Sequence, residues 1–281
     1  MRRVGVVALL VASSLLGSAR VLADDESNDE GPFARGFGYL GAFWVTQSNT
    51  ELRLFSTDLP LGTRLNVQKD LGVRDSFTVP RFVLGWRFGK RHILTGGYYD
   101  LSRDGIKILE SVIELPGDIE LPVGVEVASD FELQVGQLQY TYLFHRDEKV
   151  TLGVGAGLYV ARLGAGLTVT GRVGPIQESL TAFNESVTAP LPVFGFRLTY
   201  NLTRKWGVFA SSDWFLLNYS DKYKGLFSDT QLYASHRTFK HVGFAAGLNV
   251  HTFSVEFDDD DLLWQLNTRL VGVLGAVTFY F

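Results

Sequence analysis

Residues 150–161 read Val-Thr-Leu-Gly-Val-Gly-Ala-Gly-Leu-Tyr-Val-Ala, and this stretch decides the fold. Every even-numbered position holds valine, leucine or alanine, whereas the odd-numbered positions hold threonine, tyrosine, alanine and glycine. Because successive side chains of a β-strand point to opposite faces, alternation with period two predicts a strand with one apolar face. In a membrane barrel the apolar row faces lipid, and small or polar residues line the interior. The stretch therefore predicts one strand of a transmembrane β-barrel.

Turn and loop lengths extend this prediction to the rest of the chain. Short polar turns fall at 89–91, 145–148, 201–204 and 237–240, and long connections fall at 48–76, 103–126, 163–188, 218–228 and 256–263. Outer-membrane barrels have this asymmetry, with short periplasmic turns and longer extracellular loops. The remaining segments predict strands at 36–47, 77–88, 92–102, 127–144, 149–162, 189–200, 205–217, 229–236, 241–255 and 264–281. The sequence thus predicts an all-β fold, a transmembrane antiparallel up-and-down barrel of about ten strands, with eight and twelve strands as open alternatives.

Two segments leave the strand pattern ambiguous. Between Phe131 and Phe144 the apolar residues switch from odd to even positions. This switch predicts a β-bulge near Gly136, because one extra residue reverses the alternation. Residues 51–57 and 63–69 could form an additional hairpin, but we interpret them as a strand extension above the membrane, since their charged side chains would sit badly against lipid.

The first 23 residues have the three parts of a secretory signal peptide. Two arginines precede an apolar run over residues 4–16, and the segment ends on Ala23, a small residue of the kind preferred at a cleavage site. The apolar run is too short to span a bilayer as a helix. We therefore predict a cleaved signal peptide at 1–23, an acidic disordered tail at 24–35 and an outer-membrane β-barrel at 36–281.

Composition excludes several classes of function. The chain has no cysteine, which excludes disulfide scaffolds, cysteine-ligated metal sites and thiol nucleophiles. Its formal net charge of -4 argues against nucleic-acid binding, which requires a basic surface. The acidic run at 258–261 lacks the interleaved glycine and ligand spacing of a calcium loop, so we interpret it as a solvated loop tip. We predict no metal site and no cofactor.

The final strand carries a family resemblance. Phe279 and Phe281 complete an alternating apolar row that begins at Val271. This segment resembles the C-terminal strand of bacterial outer-membrane proteins, which ends in phenylalanine with an aromatic residue two positions before it. The mature chain resembles the small outer-membrane barrel superfamily that includes OmpA-like and OmpW-like domains. The resemblance implies a monomer in the bacterial outer membrane, in contact with lipid and lipopolysaccharide and assembled by the barrel assembly machinery through Phe279 and Phe281.

Two tryptophans are suited to mark the membrane boundaries. Trp206 and Trp214 share one face of a predicted strand. At a rise of ~3.3 Å per residue and a tilt near ~40°, they lie roughly 20 Å apart along the membrane normal, close to the height of the apolar band. We predict that they belong to the two aromatic girdles.

Function should reside in the lumen or in the extracellular loops. The alternation predicts that the following polar residues face the lumen: Arg81, Arg87, Asp100, Glu132, Gln134, Gln137, Gln139, Arg197, Asp213, Asn249 and His251. Because an isolated buried charge is costly, arginines and carboxylates enclosed together should form ion pairs. Such pairs predict a polar plug in a structural, non-enzymatic barrel, and a narrow pore for small solutes is the other outcome.

Two further functions stay open. Long polar segments such as 164–188 could form a binding or adhesion surface, because loops on a rigid scaffold often carry recognition. A surface hydrolase would centre on His251, since the other histidines lie at predicted periplasmic turns or strand ends. Omptin-type proteases place Asp-x-His on one strand, and barrel lipid A deacylases place His and Ser two residues apart. Here residue 249 is asparagine and residue 253 is phenylalanine, so we predict that the chain is not an enzyme.

Overall fold

A computed structural model of the chain describes residues 35–56, 59–110, 112–115, 119–173, 176–219, 223–259 and 262–281. The predicted signal peptide and all but the last residue of the predicted tail lie outside these ranges. The elements, in chain order, are β1 (Gly36–Ser56), β2 (Leu59–Asn66), α1 (Val67–Leu71), β3 (Phe77–Phe88), β4 (His92–Asp100), β5 (Arg103–Ile108), β6 (Ile113–Leu115), β7 (Ile119–Leu121), β8 (Glu126–Arg146), β9 (Val150–Val173), β10 (Ile176–Asn201), β11 (Trp206–Tyr219), β12 (Tyr223–His236), β13 (Val242–Asp259) and β14 (Leu262–Tyr280). Within the described ranges, no helix has the length and apolarity needed to cross a membrane.

Ten long strands form one closed antiparallel barrel, which confirms the predicted fold class. The order runs β1, β3, β4, and then β8 through β14, and β14 pairs with β1 to close the sheet. At this seam the Gly36 N–H donates to the Phe281 carbonyl at 2.6 Å, and the Phe281 N–H donates back at 2.8 Å. Closure pairs the backbone groups that an open sheet would leave at its edges, as a lipid environment requires.

The outer surface of the barrel is apolar and carries exposed aromatic rings. Along β3, exposed and buried side chains alternate residue by residue, so that apolar side chains face outward. Trp206 lies on this outer face near one end, with its ring centroid 4.6 Å from that of His236. Trp214 lies toward the other end, 5.6 Å from Phe194. A closed barrel with such a surface is suited to lipid.

Short turns join the strands at the end of the barrel that the sequence assigns to the periplasm. Gly89 takes a positive φ of 63° in the first turn, a conformation that glycine adopts without strain. In the second turn the backbone N–H groups of Val150 and Lys149 donate to the Asp147 carboxylate at 2.6 and 2.8 Å. These two hydrogen bonds lower the pKa of that carboxyl. Polar turn residues therefore replace the missing strand hydrogen bonds.

The strands continue far beyond the membrane at the opposite end. β9 has 24 residues and β10 has 26, whereas a tilted membrane strand needs ~9–11. The connections predicted at 163–188, 218–228 and 256–263 are therefore largely paired strand, because the flanking hairpins continue to 173, 219 and 259. Antiparallel pairing persists wherever two strands remain adjacent. The apolar alternation ends where the strands leave lipid, so it does not predict where the strands themselves end.

A small apolar core supports part of this extension. The predicted strand extension is present over residues 51–56, residue 57 lying outside the described ranges, and it pairs with β2 in the additional hairpin that the sequence left open. Of the companion segment 63–69, residues 67–69 belong to α1 and not to a strand. Asn66 caps α1 by accepting a hydrogen bond from the Lys69 N–H at 2.9 Å. The buried residues of this core are Leu65, Val67, Leu71, Val73, Leu109, Val127 and Leu167. The extension is thus a packed structure and not a set of irregular loops.

The β-bulge predicted near Gly136 is wrong. Pairing of β8 with both neighbours passes through Gly136 without a shift, and the irregularity of β8 lies between Leu143 and His145. The apolar residues of β8 switch from odd to even positions because the interior of the barrel is apolar at one level along its axis and polar at the next. Leu133 and Val135 face inward and pack into an apolar interior core, whereas Gln137, Gln139 and Thr141, which follow them on the inward face, are polar.

This register makes a direct prediction, since the chain has no native cysteine. A cysteine in place of Glu132 should react with a charged, membrane-impermeant maleimide in the folded barrel, because that side chain is 44% exposed. A cysteine in place of Val135, which is 0% exposed, should not react. Both variants should label fully after unfolding in denaturant. Preferential labelling at position 135 in the folded protein would contradict the register.

Candidate functional site

The residues predicted to line the lumen divide into two groups. Those that face the interior are Arg81, Arg87, Gln137, Gln139, Arg197, Asp213, Asn249 and His251. Asp100, Glu132 and Gln134 lie on the outer face, where Glu132 stands 3.9 Å from Arg162, and Asp100 pairs across strands with Gln134. The prediction was wrong for Glu132 and Gln134 because it assumed the bulge near Gly136, which would have reversed the alternation in β8. It was wrong for Asp100 because Tyr99, the preceding residue of β4, is the one buried in the interior.

Arg81 and Asp229 form a buried ion pair in the interior. The guanidinium Nη2 donates to Asp229 Oδ2, and the two side chains are 4% and 1% exposed. Asn249 bridges the pair: its Nδ2 donates to Asp229 Oδ1 at 2.6 Å, and its Oδ1 accepts from Arg81 Nη1 at 3.3 Å. The guanidinium also lies 4.5 Å from the centroid of the Tyr99 ring. The two charges are therefore compensated within the protein.

A second ion pair lies beside the first, since Asp213 pairs across strands with Asp229. Arg197 Nη2 donates to Asp213 Oδ2 at 2.8 Å and also to the Gln139 side-chain oxygen. Gln139 Nε2 and the Tyr159 hydroxyl donate to the Asp213 carboxylate at 2.7 and 2.8 Å. Gly195 permits this approach, since a Cβ there would stand 2.0 Å from Asp213 Oδ1. Asp213 thus joins residues of four strands.

An apolar layer fills the interior on the extracellular side of the ion pairs. Its largest side chains include Phe43, Tyr159 and Phe227, all at most 2% exposed. Tyr159 and Phe227 pack edge to face with ring centroids 5.5 Å apart. The layer is completed by Val45, Val79, Tyr99, Leu101, Val135, Ala161, Leu191, Val193, Phe215, Phe253, Leu270 and Leu274. Sequence reasoning missed this layer because it assigned polar residues to the lumen, although the parity switch in β8 was the available signal.

Known proteins resemble this chain in fold only. The sequence matches no family model and no curated protein. The outer membrane protease OmpT from Escherichia coli matches with a TM-score of 0.52 at 8% identity, over 89% of this chain and 98% of that chain. This chain has the fold of a bacterial outer-membrane β-barrel. Its apolar outer surface fits location in that membrane. At 8% identity, the match to OmpT establishes the fold and nothing about activity.

Two other solved outer-membrane barrels were found with weaker superposition. The toluene transporter TodX from P. putida has a TM-score of 0.35 at 8% identity, over 88% of this chain and 90% of that one. Ail, the attachment invasion locus protein of Yersinia pestis, has a TM-score of 0.32 at 12% identity, over 86% of this chain and 99% of that one.

His251 of this outer-membrane barrel is enclosed by the apolar layer. It is 2% exposed, and its ring packs edge to face against Tyr99 and Phe227 at centroid distances of 5.9 and 5.1 Å. It pairs across strands with Asp229, whose carboxylate is bound by Arg81 and Asn249. A surface hydrolase needs an imidazole that an extracellular substrate can reach. This burial supplies no such access.

The interior has open space on the periplasmic side of the ion pairs. A cavity of about 180 Å³ lies there, lined by Arg87 and Arg197 and by the rings of Tyr39, Tyr233 and Tyr280, among others. Among the side chains that the structure describes, no group of three or more histidines and carboxylates is arranged to hold a metal ion. The barrel interior thus changes along its axis from a cavity near the short turns to a filled apolar layer.

Proposed function

We propose that this protein is a non-conducting outer-membrane barrel that presents a binding surface on its extracellular strand extension. The observation that carries the proposal is the filled interior, where two ion-pair clusters lie beneath a packed apolar layer. A solute would have to displace buried aromatic rings and break a compensated ion pair, each of which costs several kcal/mol. The interior therefore supports a scaffold role and disfavours the narrow pore.

The extension offers a specific candidate surface, which we name the aliphatic patch. It consists of Ile106, Ile108, Val112 and Val123, which are 65%, 60%, 52% and 58% exposed. Ile106 pairs with Ala128 of β8. At ~3.3 Å per residue and a ~40° tilt, Ala128 lies roughly 45 Å from the periplasmic end of β8 along the membrane normal. Ile106, its cross-strand partner, therefore lies beyond the ~25 Å apolar band. Exposed aliphatic side chains outside lipid commonly mark an interaction site.

Charges beside the aliphatic patch indicate the chemistry of a partner. Asp130 pairs across β5 and β8 with Asp104, which forms an ion pair with Arg74 at 3.3 Å, and Glu126 pairs with Ile108. Exposed carboxylates of Asp130 and Glu126 thus flank the patch on the same face. A protein that presents apolar side chains next to lysine or arginine would complement this arrangement. The predicted binding segment at 164–188 contributes to the same extension through the β9–β10 hairpin.

Photo-crosslinking in intact cells tests the binding role by trapping whichever protein contacts the aliphatic patch. With p-benzoylphenylalanine in place of Ile106, we expect a discrete protein adduct, which Ile108→Ser in the same chain should abolish. The same probe in place of Leu202 serves as the control, because that residue is 56% exposed but lies at a periplasmic turn. Failure to form an adduct at position 106, or an adduct insensitive to Ile108→Ser, would count against the aliphatic patch.

A further inference from the structure

The four periplasmic turns carry a concentrated positive charge that the proposed function does not use. Residues 89–92, 145–149, 201–205 and 237–241 contain eight lysines and arginines but only two carboxylates, for a net charge of +6. The whole chain, by contrast, has a net charge of -4. All four turns lie within the described residues. These turns therefore give one end of the barrel a net positive charge.

Two neighbouring turns bring part of this charge against lipid-facing phenols. Arg91 Nη1 lies 3.4 Å from the Tyr142 hydroxyl, and Arg146 Nη1 donates to the Lys90 carbonyl at 3.0 Å, which ties the two turns together. Tyr140 and Tyr142 are 40% and 36% exposed on the outer face of β8. We name this cluster of Lys90, Arg91, Tyr140, Tyr142 and Arg146 the headgroup cluster.

His92 and Phe88 extend the headgroup cluster toward the membrane interior. His92 Nδ1 lies 2.6 Å from the Tyr140 hydroxyl, and its ring stacks on Phe88 with centroids 5.5 Å apart. The hydroxyls and cations thus lie at the edge of the apolar band, with aromatic faces directly below them. This is the depth at which lipid phosphates meet a barrel wall.

We propose that the headgroup cluster binds an anionic phospholipid of the periplasmic leaflet. Guanidinium and ammonium groups bind phosphate oxygens through charge-assisted hydrogen bonds, and the phenol hydroxyls add neutral donors. The acyl chains of the same lipid would lie along the outer face of β8. Basic residues at a membrane surface attract anionic lipids electrostatically.

The arrangement favours a lipid over an anionic cell-wall polymer. A polymer in the periplasm would meet the tips of all four turns, whereas the headgroup cluster includes two phenols on the lipid-facing wall. A phospholipid contacts the turn and the wall at once because its charged and apolar parts are joined in one molecule. The two-turn bridge from Arg146 to Lys90 also holds the cations at the membrane edge.

Native mass spectrometry of the refolded barrel tests this proposal. We expect the unaltered protein to retain phosphatidylglycerol in preference to phosphatidylcholine from mixed micelles. Lys90→Gln/Arg91→Gln should weaken phosphatidylglycerol binding roughly thirtyfold, since two cations of the cluster are lost. Arg204→Gln/Lys205→Gln is the matched control, because it removes the same charge from another periplasmic turn and should change occupancy less than about twofold.

Three results would overturn the proposal. The first is equal retention of both lipids by the unaltered protein. The second is equal loss in the two double variants, which would assign the effect to diffuse charge and not to the headgroup cluster. The third is binding to purified cell-wall sacculi that Lys90→Gln/Arg91→Gln removes while lipid occupancy is unchanged. A heat-modifiable gel shift in each protein verifies that the barrel is folded.

Discussion

Replacing Arg81 by methionine is expected to lower the free energy of unfolding by about 3–5 kcal/mol, because Asp229 would remain buried without its cation. The Asp229 side chain is 1% exposed and depends on Arg81 and Asn249 for its hydrogen bonds. Urea titration of the refolded barrel in lipid vesicles, followed by tryptophan fluorescence, measures the change.

The double variant Arg81→Met/Asp229→Leu distinguishes the effect of the two buried charges from the effect of the volume that the two side chains fill. Replacing a buried ion pair by apolar residues of similar volume is often neutral or stabilising, so the double variant should recover most of the lost free energy. A loss below about 1 kcal/mol for the single variant, with no recovery in the double variant, would mean that water reaches Asp229 and compensates its charge.

Replacing Phe227 by alanine is expected to cost about 3–5 kcal/mol, the range for removing a ring from a packed core. Phe227 is 1% exposed and packs against both Tyr159 and His251, so neighbouring rings would have to shift to fill the space. The same urea titration measures the effect.

The matched control is Phe244→Ala on the outer face of β13, where the ring is 52% exposed. Lipid chains can take the place of a ring removed from that surface, so the cost should be smaller than at Phe227. Equal costs at the two positions would contradict a packed apolar layer, because the ring of Phe227 would then behave as one that lines an open path.

The sequence was sufficient to predict the wall of the barrel. Alternation in residues 150–161 and the short turns between strands indicated ten strands, because lipid on one side and a polar interior on the other impose period two on every strand. The same alternation placed Arg197 and Asp213 inside. It failed where the interior itself becomes apolar, so that Leu133 and Val135 appeared to face lipid and Glu132 appeared to face inward.

Pairing inside the barrel was beyond prediction from one sequence. Arg81 and Asp229 are separated by 148 residues, and their contact depends on the register of several intervening strand pairs. A shift of a single pair would move the carboxylate away from the guanidinium. The extracellular strand extension could not be predicted for a related reason. Its polar residues are typical of loops, but they remain paired here because two long strands stay side by side.

Single-channel conductance of the refolded barrel in a planar bilayer tests the filled interior most directly. Heat-modifiable migration on a gel first establishes that the inserted protein is folded. Buried ion pairs beneath a packed apolar layer predict no stepwise current from the unaltered protein at physiological salt. Reproducible conductance steps that change size with Arg81→Ala would contradict the filled interior, because they would show that ions pass the Arg81–Asp229 pair.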